Sequence, residues 1–121
     1  MKFYIASRLE NAENVRRLAA ILLAAGWEQT YDWTAHGAVR DSGSADLARI
    51  RDVGRAEVRA VLLADVVIAL LPGGRGTHVE IGIAIGSDDC EALWLVSPDD
   101  AVFGGTEASS TFYHLNEEDG M

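Results

Sequence analysis

Val66-Val67-Ile68-Ala69-Leu70-Leu71-Pro72-Gly73-Gly74-Arg75-Gly76-Thr77-His78-Val79-Glu80 is the stretch that decides how this chain folds. Its first six residues are apolar without alternation, the pattern of a strand covered on both faces. Pro72, Gly73, Gly74 and Gly76 then break the strand, and Ile81-Gly82-Ile83-Ala84-Ile85-Gly86 resumes as an apolar helix, predicted from Thr77 to about Gly86. A buried strand that ends in a Gly-rich turn and feeds a helix is the unit from which parallel α/β sheets build ligand sites.

The same alternation runs outward in both directions. Lys2 to Ala6 reads as a first strand, and Asn11 as the cap of a helix through Ala25. Val15, Leu18, Ala19 and Leu22 recur there at helical spacing, and Gly26 stops the helix. Glu28 to Tyr31 is a second strand, followed by a polar loop from Asp32 to about Ser44. Asp46 to Leu63 forms a longer helix with Leu47, Ile50, Gly54, Val58, Val61 and Leu62 on one stripe, where Gly54 permits close packing or marks a kink. Ala92 to Val96 is a fourth strand, and Thr111-Phe112-Tyr113-His114-Leu115 a fifth, at an edge. The reading is one α/β domain over residues 1–121: a Rossmann-like or flavodoxin-like three-layer sandwich with a four- to five-stranded parallel sheet and a loose tail at 116–121. Its site belongs beyond the strand C-termini, where Ser7-Arg8, Asp32-Trp33, Pro72–Gly76 and Ser97-Pro98 leave the sheet.

Bulk properties narrow the function. The 121 residues suffice for one core, and a net charge of −9 argues against a nucleic-acid polymer as partner. A small phosphorylated ligand stays open, since it needs only one or two local cations. The single cysteine, Cys90, excludes an internal disulfide framework, and its acidic neighbours Asp88, Asp89 and Glu91 raise its thiol pKa. No apolar run is long enough for a membrane span and no cleavage region follows Met1, so a cytoplasmic protein without membrane partners is expected. His36 and His114 are isolated and His78 is expected to point outward, so neither a metal nor another cofactor is expected.

Gly73, Gly74 and Gly76 let a ligand approach the main chain, and their amides with the following helix start make an anion-binding concavity. The spacing matches neither the nucleotide-binding P-loop nor the dinucleotide fingerprint. Arg8 and Arg75, at two strand ends, are candidates for an anionic group, with Ser7 as an added donor; the alternative is that both arginines are solvated surface residues. Asp32 and Trp33 either line a pocket, with the indole stacked on a ring, or cover the sheet edge. Glu80 likewise has two roles open. Thr77-His78-Val79-Glu80 fits a capping box, yet a carboxylate at the mouth of a Gly loop can also attack an electron-poor sugar carbon.

Lys2-Phe3-Tyr4-Ile5-Ala6-Ser7, Tyr31-Asp32-Trp33, Ala64-Asp65-Val66-Val67-Ile68 and Gly76-Thr77-His78-Val79-Glu80-Ile81-Gly82 together resemble the nucleoside 2-deoxyribosyltransferase family, which includes deoxynucleoside 5'-monophosphate N-glycosidases. The resemblance covers roughly residues 2 to 96, and the Glu-Ile-Gly segment is its most specific part. The loop is also similar to the Pro-Gly-Gly-x-Gly-Thr-x-x-Glu motif of phosphoribohydrolases that release cytokinin bases. Both groups cleave N-glycosidic bonds.

The resemblance implies a glycosyl-accepting nucleophile at Glu80, with Tyr4 beside it. It places Glu57 where the family usually has an aspartate that holds the sugar and protonates the base. It further implies a substrate pocket from Ser7, Arg8, Asp32, Trp33, Gly73, Gly74, Arg75, Gly76 and Thr77, a nucleoside or nucleotide as partner, and a homodimer or higher oligomer, with Phe112–Asn116 as the segment offered to a neighbour. Gly74 departs from the family, which carries an aspartate or a phosphate-binding serine there. The competing class is a non-catalytic nucleotide-binding sensor that keeps the fold and the loop.

Overall fold

The structure, a computed structural model, describes residues 1–36, 47–104 and 110–115. The start of the long helix at Asp46, most of the polar loop before it, the Gly/Ser-rich stretch and the tail lie outside the described residues. Four parallel strands form the sheet: β1 (Lys2–Ala6), β2 (Glu28–Gln29), β3 (Val66–Leu70) and β4 (Ala92–Val96), in the order β2-β1-β3-β4. Helices α1 (Ala12–Ala24), α2 (Leu47–Leu63) and α3 (Arg75–Gly86) connect them. This is the three-layer α/β sandwich that the alternation of elements predicts.

The two-residue period of the central strands divides the core. Phe3 and Ile5 of β1, with Val66 and Ile68 of β3, face α1 and meet Val15 and Ala19. Tyr4 and Ala6, with Val67 and Ala69, face the other way and meet Ala60 and Val61 of α2 and Ile81 and Ala84 of α3. On the α1 side, β4 is incompletely covered. Leu18, Leu22, Leu70, Trp94, Val96 and Pro98 border an apolar groove of about 440 Å³ there, on the sheet face opposite Tyr4.

Several local expectations change. The stripe predicted for α2 holds at Val61, which is buried, and at Ile50, which is half-buried, but Leu47, Val58 and Leu62 are exposed, whereas Ala60 is buried and Val53, Ala56 and Glu57 half-buried. Small side chains such as Ala60 let the helix approach the sheet, so a stripe drawn through the large apolar residues coincides only in part with the buried face. Gly54 is exposed with open space around it and mediates no close packing. β2 is shorter than predicted, although Thr30 N–H still donates to the Phe3 carbonyl at 2.9 Å. The expected fifth strand is instead a 3-10 turn, Thr111–His114, begun by Ser110, whose Oγ accepts from Phe112 N–H. Gly26 does take the left-handed conformation expected of a helix stop, with φ of 90°. No helix among the described residues is long and apolar enough to cross a membrane.

Candidate active site

Strand order reverses between β1 and β3, and the segments that leave their C-terminal ends lie side by side. Asn11 clips them together. Its Nδ2 donates to Ser7 Oγ at 2.9 Å and to the Pro72 carbonyl at 3.1 Å, while Ser7 Oγ donates to the Leu70 carbonyl at 2.7 Å. Asn11 stands at the N-cap of α1 as predicted, but its side chain makes no cap bond; it crosses to the Gly loop instead. The Ser7 hydroxyl proton, expected to serve a ligand, is committed to Leu70.

The Gly loop begins α3 earlier than predicted. Gly74 is the N-cap and Thr77 sits in the first turn, where Thr77 Oγ1 accepts from Gly74 N–H at 3.2 Å. That is the returning half of a capping box, since a glycine supplies no side chain for the other half. Glu80 therefore falls in the second turn and takes no part in capping. The Gly74 amide is used within the loop, leaving those of Arg75 and Gly76 as outward donors at the helix start. Arg8 Cβ lies 3.8 Å from where a Cβ on Gly74 would stand, which sets the Arg8 stem against the loop. Arg75 is exposed at the same end.

Gly73 has a strict reason to be glycine. A Cβ there would stand 2.4 Å from Thr77 Cγ2 and 2.6 Å from Thr77 Cβ, and Thr77 is buried. Gly73→Ala is expected to displace Thr77, costing about 1–3 kcal/mol in stability and loosening the Gly74 contact. Urea unfolding measures this, and a stability within error of wild type would contradict it.

Behind the loop stands a buried acidic cluster. Tyr4 Oη donates to Glu80 Oε2 at 2.5 Å; Tyr4 is fully buried and Glu80 only 6% exposed. Glu57, half-buried on α2, hydrogen-bonds to the Glu80 carboxyl. Burial pushes the Glu80 pKa up; the Tyr4 hydrogen bond opposes this, and the Glu57 charge and hydrogen bond add to it. The Glu80 carboxyl therefore keeps its proton well above the usual carboxylate range. Burial first, then Glu80 and Glu57, raise the Tyr4 hydroxyl pKa, so the phenol stays a donor. Tyr31 is raised in the same direction by burial, Glu57 and Asp32.

Of the catalytic candidates, Tyr4 is thus hydrogen-bonded to Glu80, and Glu57 adjoins the Glu80 carboxyl. The offset of the buried face of α2 from the large-residue stripe is what turns Glu57 inward. Of the binding candidates, Ser7, Arg8, Gly73, Gly74, Arg75, Gly76 and Thr77 line the adjoining strand ends. Asp32 and Trp33 are held in a turn of their own: Asp32 Oδ1 accepts from Thr34 N–H at 3.0 Å, and Trp33 Nε1 donates to the Ile5 carbonyl at 2.7 Å. That bond anchors the half-buried indole over the end of β1, where it packs against both cores.

Three participants are not signalled by local sequence. Tyr31 reads only as the strand end beside Asp32 and Trp33, with no role of its own, although it lies close enough to Tyr4 to help raise its pKa. Asn11 reads only as a cap. His78 is expected to point outward, but its ring bonds to Gly74 and to Tyr113; no local signal pairs residues so distant in sequence. Cys90 has a raised thiol pKa, from burial first and from Asp65 and Glu91 after it, so Asp65 takes the part assigned to Asp88 and Asp89. Among the described residues, no group of His, Cys, Asp and Glu is arranged to hold a metal ion.

Fold and site together define a class of protein: a parallel α/β sandwich with a tyrosine-bound carboxyl pair at the switch point of its sheet. The sequence matches no protein-family model and no curated protein. Among solved structures, the chain is similar to the CMP N-glycosidase BcmB of Clostridium botulinum, with a TM-score of 0.48 and 20% sequence identity over 80% of this chain and 71% of that chain.

Proposed function

We propose that this chain cleaves or transfers the N-glycosidic bond of a nucleoside or nucleoside 5'-monophosphate. The observation that carries the reading is the buried Tyr4–Glu80–Glu57 cluster beside the Gly loop. Two carboxyl groups sharing one proton supply both halves of glycosyl transfer: one attacks as the anion while the other protonates the leaving group. Glu80 Oε attacks C1', the C1'–N bond breaks, and its electron pair leaves with the base, which takes a proton from Glu57. Tyr4 holds Glu80 by its hydroxyl. Water or a second base, giving up its proton to Glu57, then attacks C1' and releases Glu80, giving hydrolysis or transfer respectively.

The extra methylene of Glu57, relative to the aspartate of the resembled family, does not take its carboxyl out of reach of Glu80. This favours an enzyme over a sensor. Arg8 and Arg75 at the Gly loop favour a 5'-monophosphate, and with it the N-glycosidase form of the reaction.

The test is release of free base from a panel of ribo- and deoxyribonucleosides and their monophosphates, with and without an acceptor base. Release confined to monophosphates and weakened about ten-fold or more by Arg75→Ala is the expected result. Ligand binding without base release from any member would leave only the sensor.

A further inference from the structure

His78 ties the C-terminal turn of the described chain to the Gly loop, and the proposed chemistry makes no use of it. Its Nδ1 lies 2.7 Å from the Gly74 carbonyl oxygen and its Nε2 2.7 Å from Tyr113 Oη. The Tyr113 ring stacks on the imidazole, with centroids 5.7 Å apart and planes at 30°. Phe103 meets its other side edge-on at 6.1 Å, and Tyr113 is buried.

A carbonyl oxygen only accepts, so Nδ1 must carry the imidazole proton. In the neutral ring Nε2 is then a lone pair, and the Tyr113 hydroxyl donates to it. One tautomer satisfies both contacts. The Gly74 carbonyl also accepts from the His78 amide at 3.2 Å, so two donors from one residue fix this oxygen. The Gly74 carbonyl and the Arg75 N–H belong to one rigid peptide plane and point in opposite directions. Holding the oxygen therefore aims the Arg75 amide outward from the head of α3. Gly73, Gly74 and Gly76 impose little torsional preference of their own, so an external hold has a real effect on this loop.

We infer that His78, anchored by Tyr113, is a positioning residue: it orients the Gly74–Arg75 peptide so that the amides at the head of α3 face a phosphate or sugar oxygen of the substrate. The inference rests on the proposed nucleoside site, but its first test does not need activity. Long-range proton–nitrogen NMR of the full chain is expected to show the His78 ring with its proton on Nδ1, and Tyr113→Phe to lose that single tautomer while keeping the stacked ring. A predominant Nε2–H tautomer in the wild type overturns the inference, because Nδ1 then has no proton to give Gly74.

The second test is kinetic. His78→Asn is expected to raise KM about ten-fold and Tyr113→Phe about three-fold, with kcat held within about two-fold, since each loses a hold on binding groups and none on reacting atoms. Loss of kcat at unchanged KM in both variants overturns it as well. Should His78→Asn fail to fold, Tyr113→Phe carries the same split. A wild type that shows the Nδ1–H tautomer yet releases no base from any substrate refutes the proposed chemistry and the role in substrate binding, leaving the tautomer as a purely structural lock.

Discussion

Glu80→Gln is expected to abolish base release, by about four orders of magnitude, while making the protein more stable. The loss follows because an amide oxygen is a poor nucleophile. The gain follows from burial. Burial and Glu57 raise the Glu80 pKa, so the folded chain holds this proton more tightly than the unfolded chain does. As pH rises above the ordinary carboxylate range, the unfolded chain releases its proton first, and wild-type stability falls.

Glutamine does not titrate, and its amide can accept from Tyr4 while donating to Glu57. The stability difference between Glu80→Gln and wild type is therefore expected to be small at about pH 4 and to grow towards neutral pH. It should reach about 1–3 kcal/mol, since each ten-fold difference in proton affinity between the folded and unfolded chain is worth about 1.4 kcal/mol. Urea unfolding across that range, beside the base-release assay, checks both halves. A variant that keeps its activity would take Glu80 out of the chemistry, and one that is less stable at neutral pH would contradict the raised pKa.

Glu57→Gln is the second large effect, with kcat expected to fall about 10²- to 10⁴-fold through loss of the proton donor. Two further signs distinguish this from simple damage. A substrate whose leaving group departs as a stable anion needs no proton and should lose far less. The proposed chemistry also needs the Glu57 proton, whose loss limits the wild-type rate at high pH, so the alkaline limb of the pH–rate profile should disappear in the variant. An unchanged kcat, or an alkaline limb that persists unmoved, would remove Glu57 from the proton path.

Much of this is legible in the chain because it is local. The unbroken apolar run from Val66 and the glycines after it identify a buried parallel strand and the Gly-rich turn that ends it without any knowledge of neighbours. Helical spacing in α1 likewise selects Val15 and Ala19, which are buried. The departures from expectation share a different cause. The largest apolar residues of α2 point to one face, but close packing against the sheet selects a face that includes Ala60 and only some of them. Thr111–Leu115 has the composition of a strand, but the chain there curls so that Tyr113 is buried against His78 and Phe103.

The candidate site divides along the same line. The sequence by itself determined that a carboxylate follows a Gly-rich loop at the end of a buried strand, since strand, turn and helix are consecutive and governed by local torsional and hydrophobic preferences. Its local spacing left Glu80 equally suited to capping α3. The tertiary contacts rule out the capping role. Gly74 takes the cap position, and Glu80, one turn further on, meets Tyr4 from 76 residues away in the chain and Glu57 from another helix. Those contacts form because three elements converge on one face of the sheet and exclude water there. Burial and the neighbouring carboxyl together raise the Glu80 pKa, a property that no short stretch of sequence contains.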